Sequence, residues 1–382
     1  MAMDYSIEGR HYKTLVPIRI GVKEGLISKI EKINKCDNQT IIAPGLVDLQ
    51  VNGFQGIDFN EAQITKEAVK EVTQSLWDVG VTAYFPTVIT NSDDCIMASL
   101  HTISAACSND PLVNQTIKGI HLEGPFISKE IGPLGAHPEV YVQEPDWELF
   151  CNWQKGAEGR IKLLTMSPEW PGSADFIRKC VESGVKVAIG HTAATPIQIK
   201  EAVEAGASLS THLGNAAHVL LPRHTNYIWE QLANDRLWCS CIADGFHLPE
   251  AVLKVIFKVK TEKCILVSDS TKFAGLKAGS YQSPIGGEVM LDESGRLSLK
   301  VNPELLAGSA KSLLDCIEYL VTNKLLSLTD ALDMASTKPF QYLEPSSING
   351  LTSGAEADLL LLNQANEGLT VLKVIKSGQV VH

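Results

Sequence analysis

VKVAIGHTAATPIQIKEAVEAGASLSTHL, residues 185–213, decides the fold. It opens on a β-branched run at 185–191. Thr195 then stands as a helix N-cap with Pro196 at the first helical position. The spacing predicts a helix over 195–205, which Gly206 stops. A second short run follows at 208–213. Strand, helix and strand in so short a span are a βα unit of a parallel sheet.

Outward from that unit the alternation recurs. Runs at 46–51, 81–87, 117–123, 161–166, 185–191, 208–213, 238–244 and 264–269 make eight. A helix is predicted over 65–79, with apolar Val69, Val72 and Leu76 and a stop at Gly80; another covers 173–183 before Gly184. Eight strands with intervening helices over about 290 residues predict an α/β fold, a (β/α)₈ TIM-like barrel. The flanks differ: 5–42 and 351–382 are short alternating segments with turn signals, read as antiparallel strands of one small domain built from both chain ends. The expected division is 1–44 with 345–382 for that domain and 45–344 for the barrel. A hairpin insertion is expected near 280–300, with turns at Gly286-Gly287 and Glu293-Ser294-Gly295.

Composition narrows the function. A chain of 382 residues exceeds the roughly 250–300 that one core serves, in keeping with a large and a small unit. With 45% hydrophobic and 20% charged residues it is globular. Lys+Arg 33 against Asp+Glu 44 gives a charge of −11, which argues against a nucleic-acid or anionic-membrane partner. A small anionic substrate stays open, because it needs only one or two local cations. The nine cysteines form no CxxC pair, so reduced thiols in a reducing compartment are expected. MAMDYSIEGR carries no signal-peptide pattern, and no apolar run approaches the roughly 18 residues of a membrane span. A cytoplasmic protein is expected, in which the N-x-T sequons at Asn38 and Asn114 carry no glycan.

Barrel enzymes draw their active-site residues from the C-terminal ends of several strands. Those ends offer Asp48, Gln50 and Asn52; His121 and Glu123; His191; His212; Asp244 with His247; and Asp269. Strands two and four offer no comparable group. Glu123, His191 and His212 make a Zn²⁺-type ligand set with room left for water. Such a metal lowers the pKa of water to about 7. Asp269 would take the proton and deliver it to a leaving amine, and His247 would hydrogen-bond a carbonyl oxygen as it gains charge. A lone strand-end histidine is more often a hydrogen-bonded core residue than a ligand. His121 is read that way, as core or as support for Glu123 two residues on. Asp48 is either structural or a support to the site, and Cys239 and Cys241 are read as core.

At these residues the chain resembles the N-acetylglucosamine-6-phosphate deacetylase family of the amidohydrolase superfamily. The resemblance rests on APGLVDLQVNGFQGIDFN (43–60), GIHLEGPFIS (119–128), GAHP (135–138), IGHTAAT (189–195), THLGNAA (211–217), IADGFHLP (242–249), LVSDST (266–271) and LAGSA (306–310), in family order over nearly the whole barrel. It implies a metal-dependent barrel with a small β-sandwich from both termini, and hydrolysis of an amino-sugar acetamide. It implies one divalent ion per subunit, Zn²⁺ before Fe²⁺ or another, on Glu123, His191 and His212. It implies Asp269 as general base and acid and His247 on the carbonyl. His137 would line the sugar site, with the Asn215 and Ala216 backbone near a phosphate. Arg223 would pair with that phosphate from a neighbouring subunit, so a homodimer is implied.

Two departures bear on this. Much of the superfamily has His-x-His after strand one; here Gln50 and Asn52 stand at that vestigial second-metal position, and neutral amides are poor Zn²⁺ ligands. After His212 the family commonly continues with an aromatic residue, Asn, Ala and Met, whereas this chain reads LGNAAHVLLPRHTNYIW, adding His218 and His224. The alternatives are a deacetylase for an epimeric or unphosphorylated amino sugar, a two-metal cyclic-amide hydrolase or deaminase, and a non-catalytic barrel. The last would show lost ligands.

Overall fold

The computed structural model describes residues 4–36, 39–283, 287–365 and 368–382. Asn38, of one sequon, and Gly286, of the expected Gly286-Gly287 turn, lie outside the described residues.

Eight parallel strands form one sheet: β1 (Leu46–Val51), β2 (Val81–Ile89), β3 (Ile120–Glu123), β4 (Ile161–Met166), β5 (Lys186–Ile189), β6 (Leu209–Ser210), β7 (Trp238–Ile242) and β8 (Cys264–Val267). They pair in sequence order from β1 to β8, so the expected (β/α)₈ barrel is what forms. The strands read as unbroken apolar runs because both faces are covered. Val47, Ala83, Phe85, Leu163, Ala188, Leu209, Ile242, Ile265 and Val267 fill the interior, and Tyr342 closes its floor. Ile120, Leu122, Leu164, Met166 and Ile189 face the helices.

The ladder stops between β8 and β1, and backbone and side-chain groups together bridge the seam. Val51 and Ser270 form a lone bridge there. Buried Asp48 accepts the Ser268 backbone N–H at 3.2 Å and that of Gln50 at 3.2 Å.

Helix Pro196–Ala205 carries a capping box of Thr195 and Gln198, and Gly206 ends it at φ 113°. Helix Lys66–Asp78 is capped by Thr65, whose side chain accepts from the Ala68 N–H, and Gly80 follows at φ 84°.

Both chain ends build a single seven-stranded sheet. Its order is Gln379–Val380, Gly368–Lys376, Leu359–Ala365, Thr40–Pro44, Tyr5–His11, Pro17–Lys23, Leu26–Lys32. Ile18, Ile20 and Val22 share a core with Leu359, Leu361 and Ile375, so the sheet curves over itself to make the small sandwich. Its other face, with Ile41, Ala43, Leu360 and Leu362, joins the core of the barrel helices.

The insertion after β8 is larger than a hairpin. Strands Gly279–Ser283, Gly287–Leu291, Leu297–Leu299 and Asn302–Leu306 form a four-stranded antiparallel sheet. Val289, Leu291 and Leu297 pack there on Phe273 and Ala310, a core that two strands alone would not close. The turn at Glu293-Ser294-Gly295 forms around Asp292, whose Oδ1 accepts the backbone N–H of Ser294 and of Arg296.

Candidate metal centre and its surroundings

Glu123, His191 and His212 meet at the C-terminal mouth of the barrel, and all three are buried. Glu123 Oε1 lies 3.0 Å from His212 Nε2 and 3.3 Å from His191 Nε2, and the two imidazole nitrogens are 3.2 Å apart. Ligands about 2.0–2.2 Å from a tetrahedral Zn²⁺ stand about 3.3–3.5 Å from one another, so the triangle fits one such ion. The chemistry fits as well. His191 Nδ1 lies 2.9 Å from the Pro133 carbonyl, to which it can only donate, leaving the Nε2 lone pair for a metal. Burial alone would push the Glu123 carboxyl up. The two imidazoles outweigh it and hold the group well below the usual carboxylate range, as an anion.

The histidines reach this point through unusual backbone. Alternation along β5 puts Ala188 and Gly190 inside the barrel, so His191 should point outward. Along β6, Leu209 and Thr211 are inside, and His212 should point outward. Both residues instead take left-handed backbone, φ 49° at His191 and φ 29° at His212. Each side chain thereby turns back over the mouth. Such conformations cost of order 1–3 kcal/mol and gather at functional sites.

Asp269, which follows β8, shares the left-handed backbone at φ 48°. Burial and the nearby Glu123 charge push its carboxyl up to about 6, close to the pH at which one group both accepts and returns a proton. Gln50 and Asn52, at the end of β1 and just after it, each reach a carboxylate of the site. Gln50 Nε2 donates to Glu123 Oε1 at 2.9 Å, and Asn52 Nδ2 donates to Asp269 Oδ1 at 2.7 Å. A slip of register between Asp48 and Val51 accompanies this placement of Gln50.

His247 sits on the loop after β7, its Nδ1 2.7 Å from Asp244 Oδ2. The Phe246 and His247 backbone N–H groups donate to Asp244 Oδ1 at 2.9 Å each, so the aspartate holds both ring and loop. The same bonds keep the Asp244 carboxyl below its ordinary value, although burial alone would raise it. His137 lies edge-on to the His191 ring, centroids 4.4 Å apart, and its Nδ1 meets Thr90 Oγ1 at 2.8 Å. Burial pushes its imidazole down to about 3, so it is neutral. Thr90 and Thr165, after β2 and in β4, belong to the site although sequence reasoning found nothing on those strands. A threonine in a strand carries no chemical signal of its own.

The loop after β6 agrees less well with the expectations. The Asn215 backbone N–H and side-chain amide both donate to the His212 carbonyl, at 3.0 and 3.2 Å. The tight turn that aims His212 thus takes the backbone N–H and one hydrogen of the side-chain amide. Ala216 follows at φ 46°. His218 is held between Glu130 Oε2 at 2.8 Å and the Tyr227 hydroxyl at 2.9 Å, tying this loop to the one after β3. Arg223 lies exposed on the same loop.

Residues 41–381 match the amidohydrolase family. N-acetylglucosamine-6-phosphate deacetylase of Bacillus subtilis (strain 168) is 30% identical over 357 residues, covering 90% of this chain and 88% of that one. The Bos taurus protein of the same name is 31% identical over 353 residues, covering 89% and 83%. The crystal structure of N-acetylglucosamine-6-phosphate deacetylase from Thermotoga maritima superposes with a TM-score of 0.85 at 26% identity, over 99% of each chain. Fold, converging ligands and these likenesses agree: the chain belongs to the amidohydrolase family and is a hydrolytic enzyme.

Proposed function

We propose that the protein hydrolyses the acetamide of N-acetylglucosamine-6-phosphate, giving glucosamine-6-phosphate and acetate. The observation that carries this is the set of three buried ligands with Asp269 beside them, in a chain similar along most of its length to deacetylases of that sugar. A divalent cation on Glu123, His191 and His212, Zn²⁺ in our reading, would lower the pKa of water and polarise the amide carbonyl. Asp269 Oδ2 accepts the proton of the attacking water while Oδ1 keeps the Asn52 amide. His247 Nε2 donates to the carbonyl oxygen as it becomes an oxyanion. The C–N bond breaks, and Asp269 returns its proton to the departing amine. His137 forms one wall of the sugar site.

Arg223 is the phosphate anchor in this reading, since its planar fork binds phosphate oxygens in pairs. It lies beside Val219 and Leu220, 96% and 88% exposed, an apolar pair suited to a second copy of the chain. We therefore propose a homodimer in which Arg223 serves the partner's site. The nine cysteines form no CxxC pair and suit a reducing compartment, so we place the protein in the cytoplasm. Among the described residues no helix is long and apolar enough to cross a membrane.

The Asn215 backbone N–H, taken up by the His212 carbonyl, favours one second reading, a deacetylase for an epimeric or unphosphorylated amino sugar. The test is acetate release from N-acetylglucosamine-6-phosphate, N-acetylgalactosamine-6-phosphate and the two unphosphorylated sugars, with wild type and Arg223→Ala. The proposal expects turnover of the first sugar, and a rise in KM in the variant confined to phosphorylated sugars. Turnover only of unphosphorylated sugars would favour the second reading.

A further inference from the structure

Below the three ligands lies a layer of the barrel that the mechanism does not use. His121 Nε2 meets Thr165 Oγ1 at 2.7 Å, and Thr165 Oγ1 meets Thr211 Oγ1 at 2.7 Å. All three side chains are buried, at 1%, 0% and 4% exposure. The chain of bonds runs from β3 to β4 and then across β5 to the end of β6. It passes β5 only because that position is Gly190: a Cβ there would stand 2.8 Å from Thr165 Cγ2 and 2.8 Å from Thr211 Cβ. Contacts that short must move something, and both neighbours are tightly held.

Every member of this belt adjoins a ligand. His121 lies two residues before Glu123 on one strand face, and Thr165 pairs in register with Glu123. Gly190 immediately precedes His191, and Thr211 immediately precedes His212. The two histidines leave the belt through left-handed backbone, so a small shift of Gly190 or Thr211 is carried directly into ring position. Apolar packing lies beneath, with Leu163, Ala188 and Leu209 two residues further down. A hydrogen-bonded layer adds distance and angle requirements that apolar contacts lack.

We infer that His121, Thr165 and Thr211 are positioning residues that set the spacing of Glu123, His191 and His212, and so the affinity and coordination geometry of the metal site. The inference rests on the metal reading of that site.

The experiment compares Co²⁺ uptake, visible absorption of the Co²⁺ form and chelator-competition affinity for wild type, Thr165→Val, Thr165→Ser and Thr73→Val. Valine keeps the shape of threonine and removes both hydrogen bonds, whereas serine keeps the hydroxyl. Thr73 is an equally buried hydroxyl far from the mouth, bonded to the Val69 carbonyl and the Tyr84 hydroxyl. Thr165→Val should bind metal about 10–100-fold more weakly, with shifted Co²⁺ bands. Thr165→Ser should stay near wild type. Thr73→Val should lower the melting temperature and leave affinity and spectrum unchanged. A folded Thr165→Val with wild-type affinity and spectrum would overturn the inference. Should that variant not fold, Thr211→Val, which removes one bond only, carries the same expectation and the same refutation. Wild type failing to take up Co²⁺ would instead overturn the metal reading, and the inference with it.

Discussion

Replacing Asp244 by asparagine tests the role of His247 without moving its ring. Asp244 Oδ2 faces His247 Nδ1 at 2.7 Å, while Oδ1 takes the backbone N–H groups of Phe246 and His247. Asparagine keeps Oδ1 and those two bonds. It puts an NH₂ group where Oδ2 stood, which only donates, so Nδ1 must accept and the ring's one proton moves to Nε2. In the wild type Nδ1–H faces a carboxylate. Nε2 then donates only from a ring that carries both protons. The variant thus exchanges a charged donor for a neutral one. Hydrogen bonds to charged groups contribute about 1.5–3 kcal/mol and neutral ones about 0.5–1.5, a difference of about 1–1.5 kcal/mol or roughly tenfold in kcat. Removing the donor with His247→Phe should cost about 100–1000-fold. The assay is kcat and KM for acetate release at matched metal content. The Asp244→Asn enzyme should be about tenfold slower, because its Nε2–H is a neutral donor. Equal rates for Asp244→Asn and wild type, or a loss as large as that of His247→Phe, would refute the reasoning.

His212→Ala should lower metal content by elemental analysis in a protein that still folds; unchanged stoichiometry would remove His212 from the ligand set. Burial pushes the Asp48 carboxyl up to about 7, so the folded state holds this proton more tightly than the unfolded chain. That contribution is full below the unfolded pKa of about 3.9 and is lost as pH rises through about 7. Asp48→Asn keeps the Oδ1 acceptor and cannot titrate, so between about pH 4 and 8 its unfolding free energy should gain on wild type by up to ~4 kcal/mol, measured by denaturant melts. Lys376 is fully buried and pairs with Asp358. Lys376→Met strands that carboxylate and should cost about 3–5 kcal/mol, much of it recovered when Asp358→Asn is added.

The barrel was legible because each strand is buried on both faces and several helices carry their stop signals, as Thr195 and Gly206 do. The insertion was less so: its third strand is only three residues long, and its fourth is largely exposed and lacks a clean alternation. In the site, residues with distinctive chemistry could be listed from strand ends, but not their directions. Period-two alternation would have aimed His191 and His212 at the helices, and only a left-handed backbone, invisible in a sequence of L-residues, reverses that. By sequence Gln50 and Asn52 are only neutral amides at two strand-end positions; the structure gives each a carboxylate to hold. Thr165 went unremarked because its importance lies in what stands across the barrel from it. Asn215 belongs to a family motif, yet the bonds it makes to the His212 carbonyl could not be read from that motif.

The seven-stranded sheet sets a timetable. Thr40–Pro44 leads almost directly into β1, yet its neighbour in the sheet is Leu359–Ala365. A ribosome adding about 5–20 residues per second needs roughly 15–60 s to travel between those two strands. For that interval one edge of Thr40–Pro44 has no backbone partner, and the apolar face shared with Leu359, Leu361 and Ile375 has nothing to close against. The first sheet begun is therefore among the last completed. Slow synthesis or early termination would leave an open strand edge, and quality control of the nascent chain would meet this enzyme at its amino-terminal end.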